Sequence, residues 1–243
     1  MKIRQLLLCT LILGVNFTLI AKGSKDNSHF LTIDEVVNSS NLLPPPPVEG
    51  SAAFEYDKNQ YEWGKSLRDT ERGALATADA EISDLAGLCK GFSEAYGMKI
   101  SEETTPELFA LLAQMKEDAG AHATHHAKRT YMRKRPFAYY NENTCNLRQQ
   151  QELSTSGSYP SGHTAIGWAC ALVLAEINVE HQEAILKRGY EMGISRIICG
   201  FHWQSDVEAG RTVGAAVVAR LHTKEAFNKQ LAKAKKEYHK LSK

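Results

Sequence analysis

The 243-residue chain predicts an all-α fold, a single-domain helical bundle. Apolar residues recur at helical spacing from residue 53 to the C-terminus, and helix start and stop signals divide that stretch into segments. No alternating strand pattern of useful length interrupts it. With 43% hydrophobic residues, the chain can bury one sizeable core.

Residues 1–23 read as a secretory signal peptide. Lys2 and Arg4 precede an apolar run from Leu6 to Ala21, and Ala21-Lys22-Gly23 supplies a small-x-small cleavage pattern. That run is short for a membrane span and contains Asn16. Residues 24–52 read as an N-terminal arm, in which Pro44 to Pro47 exclude helix and favour an extended polyproline strip along the surface.

The helical domain is predicted over 53–243. Phe54, Tyr61, Leu67 and Ala74 to Ala80 keep helical spacing, while Thr70 and Thr105-Pro106 mark helix starts. One long helix is expected from Pro106 to Lys134, stopped by Arg135-Pro136. The polar stretch between Phe137 and Tyr159 reads as a loop, and its length favours a functional role. Four helices follow, over Thr164 to Ile177, His181 to Phe201, His202 to His222 and Lys224 to Leu241. The last carries Phe227, Leu231, Ala234, Tyr238 and Leu241 on one stripe, a docking face.

Cleavage of the signal removes three basic residues and no acid from a chain with 29 basic and 28 acidic side chains, so bulk charge offers nothing to a nucleic-acid polymer. The mature chain keeps Cys89, Cys145, Cys170 and Cys199, which allow three pairings in an oxidising compartment. No C-x-x-C motif supports a zinc ribbon or a thioredoxin-type site.

Three clusters at helix ends have the chemistry of an anion site. Lys128 and Arg135 are seven residues apart, about two helical turns, which puts both cations on one face of the expected helix. In Pro160-Ser161-Gly162-His163, Ser161 can cap a helix, Gly162 allows close backbone approach, and free N–H groups face outward with the positive end of the helix dipole. In Ser195-Arg196-x5-His202-x3-Asp206, Gly200 interrupts the helix before His202, and Asp206 lies one turn after it. A carboxylate there can accept the Nδ1–H of His202 and leave the other nitrogen as a nucleophilic lone pair. Taken together, these are the parts phosphoryl transfer needs: charge neutralisation, an in-line nucleophile and an acid for the leaving oxygen.

These motifs, in this order, resemble the three-part signature of the type 2 phosphatidic acid phosphatase (PAP2) and vanadium haloperoxidase superfamily. The segments LPPPP, YMRKRPFAYY, SYPSGHTAIGWACALVLAEIN and ILKRGYEMGISRIICGFHWQSD resemble the bacterial class A non-specific acid phosphatases, with a likeness running from about Leu42 to the C-terminus. The resemblance implies a PAP2-type bundle that hydrolyses phosphate monoesters at acid pH without a cofactor. It also implies that His202 attacks phosphorus with Asp206 orienting it, and that His163 protonates the leaving alcohol. Lys128, Arg135, Arg196, Ser161 and Gly162 would hold the phosphate oxygens. A periplasmic location, homo-oligomers and small-molecule phosphate monoesters as partners follow from the same likeness.

A vanadate-dependent haloperoxidase, a membrane lipid phosphatase and an inactive phosphate-binding protein are the competing readings. The lipid phosphatase would need several spanning helices, yet after residue 23 no run of about twenty apolar residues appears. His122, His125 and His126, at i, i+3 and i+4, stand apart from the resemblance. They are weak metal-ligand candidates, and exposed polar side chains are the expectation.

Overall fold

The structure, a computed structural model, describes residues 28–243; the signal peptide expected over residues 1–23 lies outside the described residues. Twelve α-helices are formed by the described residues: α1 (Ser39–Leu42), α2 (Ala52–Ser66), α3 (Glu71–Asp79), α4 (Leu85–Tyr96), α5 (Pro106–Glu117), α6 (Ala123–Tyr131), α7 (Pro136–Tyr140), α8 (Leu147–Leu153), α9 (Gly162–Ile177), α10 (Gln182–Ile198), α11 (Gln204–Leu221) and α12 (Glu225–Leu241). A 3-10 turn, Ala80–Ser83, follows α3, and a π-helical turn, Asp118–His122, joins α5 to α6. Among the described residues there is no β-strand, and no helix is long and apolar enough to cross a membrane.

Local capping explains many of the boundaries. Ser51, Thr70, Asp84, Asn146 and Ser161 each accept a backbone N–H from the first turn that follows, satisfying donors the helix itself leaves open. At the other end of α10, Gly200 takes φ +80°, a left-handed conformation that suits glycine, and stops the helix.

Helix α9 is the hub of the bundle. Ala165, Ala169, Cys170, Ala171, Val173 and Leu174 are wholly enclosed, as expected for a helix apolar on every side. Its neighbours approach through glycines: a methyl group at Gly189 of α10 would lie 2.4 Å from the Ala171 Cβ, and one at Gly214 of α11 2.7 Å from the Ala165 carbonyl oxygen. The expected docking stripe of α12 buries Phe227, Leu231 and Ala234, whereas Leu241 is exposed. Glu237 of α12 accepts the N–H groups of Glu107 and Leu108, each at 3.0 Å, and so caps α5 from outside.

The arm is fastened to this body from residue 28 onward. Leu31, Val36 and Leu43 are buried, Asp118 accepts the N–H groups of Phe30 and Leu31, and the Tyr159 hydroxyl donates to the Pro44 carbonyl at 2.9 Å. A disulfide joins Cys145 to Cys199, and the Cys89 and Cys170 thiols are buried and free.

Three sequence expectations are corrected. The stretch 137–159 is not simply a loop, because Pro at the first position starts α7 and Asn146 caps α8. The helix predicted from Pro106 to Lys134 widens into the π turn and ends at Tyr131, with Met132 at φ +41°. Helix α11 starts at Gln204, so His202 belongs to the turn that precedes it.

Candidate functional site

A cavity of about 480 Å³ opens between two walls. The first is the α5–π–α6 stretch, which presents Lys116 and Glu117, Gly120 and Ala121, Thr124 and His125, Lys128 and Arg129, and finally Met132. That pattern steps by four residues. In an unbroken α-helix, three such steps turn the pair by about 120° away from the cavity. The wider turn at Asp118–His122 takes up the excess and keeps the side chains on one wall.

The second wall gathers the start of α9, the segment 153–157 and the turn before α11. Gly162, His163, His202, Arg135 and Gly157 face the cavity from this side. Gly162 and His163 are the first two residues of α9, so by position their N–H groups have no acceptor inside the helix. No crowding within the protein demands glycine at 162, since a methyl group there would meet nothing nearer than the Gly120 carbonyl oxygen at 3.7 Å.

His202 is held from three directions. The turn is wound back onto Arg196, whose carbonyl accepts the N–H groups of Phe201 and His202. The next side chain, Trp203, is buried against Phe54, Tyr61, Tyr139 and Tyr140 and donates its indole N–H to the Lys134 carbonyl at 2.8 Å. The imidazole itself lies between a donor and an acceptor: Arg135 Nη1 is 3.1 Å from Nε2, and Asp206 Oδ2 is 3.4 Å from Nδ1. A guanidinium can only donate, so Nε2 is the lone-pair nitrogen and the ring proton sits on Nδ1, toward Asp206.

The cations converge by different routes. Lys128 reaches from α6 and donates to the Gly157 carbonyl at 2.8 Å. Arg135 lies in extended backbone beyond the helix end and donates to the carbonyls of Ser156, Gly157 and Phe201. The two meet at the cavity, although not on one helix face as the seven-residue spacing predicted. Arg196 is fully enclosed behind them; it donates to Gln149 Oε1 from both terminal nitrogens, stacks 4.1 Å from the centre of the Phe201 ring, and leaves its Nε without a hydrogen bond.

Burial, then repulsion from Arg135, Lys128 and Arg196, holds the His202 pKa well below the usual histidine range. Burial, Arg196 and His202 do the same to His163. Burial and Arg135 also lower Lys128. The cavity therefore crowds cationic groups into a low-dielectric space, which a tetrahedral oxyanion would relieve. His163 Nε2 lies 3.3 Å from the Ala80 carbonyl oxygen, so that nitrogen carries its proton in the neutral ring.

Every site residue expected from the sequence lies in or directly behind this cavity, apart from His122 and His126 of the histidine cluster. Ser161 is wholly buried, and its Oγ accepts from the Thr164 N–H and hydroxyl. His122 turns to the arm, with Nδ1 2.8 Å from the Leu31 carbonyl oxygen, while His125 faces the cavity. Among the described residues, no group of three or more His, Cys, Asp or Glu is arranged to hold a metal ion.

Sequence reasoning missed three supports. Arg133 bridges Asp206 Oδ1 at 2.6 Å and Asp57 Oδ2 at 2.7 Å, and Asp57 also accepts the Ser205 N–H and hydroxyl. Gln149 orients Arg196 and donates to the same Ala80 carbonyl as His163. Arg133 stands inside the YMRKRPFAYY segment, so its neighbourhood was visible, but its partners on α2 and α11 are distant in sequence.

The PAP2 superfamily model matches residues 109–229. A non-specific acid phosphatase of Providencia stuartii is 54% identical over 220 residues, covering 90% of this chain and 88% of that protein. The chain belongs to the bacterial class A non-specific acid phosphatases of the PAP2 superfamily. A non-specific acid phosphatase of Salmonella typhimurium is 45% identical over 208 residues, 86% of this chain and 83% of that one. An acid phosphatase of Zymomonas mobilis is 38% identical over 202 residues, 82% and 74% of the two chains. The chain is thus an acid phosphatase, with the all-α fold of its superfamily.

Proposed function

We propose that this acid phosphatase cleaves small phosphate monoesters, nucleotides included, through a phosphohistidine and without a metal. The observation that carries the reading is the orientation of His202 between Arg135 and Asp206. Arg135 covers the Nε2 lone pair. An entering phosphate competes for the guanidinium, with Lys128, Arg196 and the N–H groups of Gly162 and His163 holding the other oxygens. Nε2 then attacks phosphorus as the bond to the leaving oxygen breaks, and Nδ1–H toward Asp206 steadies the charge that develops on the ring.

His163 supplies the proton to the departing alcohol. Burial, then repulsion from Arg196, keeps its pKa low, and a bound dianion raises it. In the second half, water attacks the phosphohistidine, His163 takes up the water proton, and the N–P bond breaks to release phosphate and free imidazole. Another alcohol in place of water gives phosphotransfer. Activity at acid pH follows, since His163 must be charged while His202 is neutral.

The deciding experiment is hydrolysis of p-nitrophenyl phosphate by the mature protein and by His202→Ala, with and without EDTA. Activity that survives EDTA and falls by about 10⁴-fold or more in the variant is the expected result. EDTA-sensitive turnover, or substantial activity in His202→Ala, overturns the mechanism. Export to the periplasm after cleavage near Gly23 is part of the same proposal, tested by the N-terminal sequence of the protein recovered from a periplasmic extract.

A further inference from the structure

Among the cavity-lining residues His202 and Arg135 are buried and Arg129 is exposed, so the phosphate-holding groups form the floor of a cavity large enough for a whole small ligand, since such sites run from about 300 to 1,000 Å³. What lies above the floor must therefore face the leaving alcohol. Its apolar part is Met132, Leu153 and Ile166. Its charged part is Lys116, Glu117, His125 and Arg129, of which Lys116 and Glu117 pair with each other at 2.6 Å. His125 and Arg129 are left, one helical turn apart on α6. Among the described residues, neither forms a hydrogen bond or ion pair; His125 makes an edge contact with the His126 ring.

We propose that His125 and Arg129 form a second anion subsite at the cavity mouth, which takes a phosphate carried by the leaving alcohol. The inference rests on the phosphomonoesterase reading and extends it to a substrate class, the bisphosphate esters. One phosphate is cradled above His202 and the other meets the Arg129 fork and the His125 ring, with the carbon body of the alcohol along Met132, Leu153 and Ile166. No other acid lines the cavity to repel the second group, and Glu117 is already matched by Lys116.

The test compares adenosine 3′,5′-bisphosphate with 5′-AMP, using p-nitrophenyl phosphate as a reference, in the wild type and in a His125→Gln/Arg129→Gln double variant. In the wild type, kcat/KM for the bisphosphate is expected to exceed that for 5′-AMP by about tenfold, through KM. The double variant brings that ratio close to one and leaves p-nitrophenyl phosphate turnover unchanged, which also reports that it folds. Arg129→Glu alone should invert the preference. A ratio near one in the wild type, or one that persists in the double variant, overturns the subsite while leaving the phosphatase intact. Failure of the wild type to turn over p-nitrophenyl phosphate overturns the underlying reading instead.

Discussion

Arg133 donates to Asp206 at 2.6 Å, closer than Asp206 comes to His202, so the carboxylate that faces the His202 ring is anchored to a cation on its far side. The same guanidinium reaches Asp57 on α2, and both carboxylates are fully buried. The position of the carboxylate beside His202 is in this way set by a helix about 150 residues earlier in the chain.

Removing Arg133 strands two buried carboxylates. Arg133→Ala should destabilise the protein by about 3–5 kcal/mol in urea unfolding. Arg133→Lys should recover little of it, because an ammonium cannot bridge two carboxylates in a fixed plane. In either variant that still folds, kcat should fall more than KM rises, as Asp206 loses its orientation.

Gly162 separates folding from function. Gly162→Ala meets no clash inside the protein, and alanine restricts the unfolded chain, so stability should hold or rise by about 0.4–1 kcal/mol. Its methyl group stands at the cavity beside the two free N–H groups, and kcat/KM for p-nitrophenyl phosphate should fall by about tenfold or more. A fully active variant would show that phosphate does not approach this turn.

Oxyanion affinity should depend on pH with a definite sign. Burial, then neighbouring cations, holds His163 and His202 below their ordinary pKa, so the folded protein binds fewer protons there than the unfolded chain. Their contribution to stability is present above about pH 6.5 and is lost as pH falls below it. A bound dianion reverses the bias at His163. Sulfate, which does not titrate in this range, should therefore bind more tightly at pH 5 than at pH 7.5 with net proton uptake, measurable by calorimetry in buffers of different ionisation enthalpy.

The disulfide closes a separation of 54 residues, for which loop-closure entropy predicts about 4 kcal/mol. Cys145→Ser/Cys199→Ser should lower stability by about 2–4 kcal/mol. Activity should suffer beyond that loss, because Cys145 leads into α8, whose Gln149 holds Arg196, and Cys199 closes the turn after Arg196. Full activity in a reduced but folded enzyme would separate the tether from the site.

Local signals were enough for much of this molecule. Each cluster of the candidate site stands at a helix end marked by a cap, a proline or a glycine, which short-range chemistry reveals: Ser161 before α9, Pro136 after Arg135, Gly200 before His202. What stayed hidden depends on distant partners. Nothing near Asp57 announces Arg133, and nothing in the polar run around Gln149 announces Arg196. The π turn was invisible because widening one turn costs a regular helix little, and the repeat that betrays it is read only against a cavity.

The four-residue step of the α5–α6 wall makes that wall separable. Each turn from Lys116 to Arg129 offers the cavity one pair of positions, and Lys128 among them hydrogen-bonds to the opposite wall, through the Gly157 carbonyl. The Lys116–Glu117 and His125–Arg129 positions can be exchanged without touching His163 or His202, whereas a methyl group at Gly120 would stand 2.7 Å from Ile166 Cδ1. A lineage built on this plan can inherit its chemistry whole and renegotiate its diet a pair of side chains at a time.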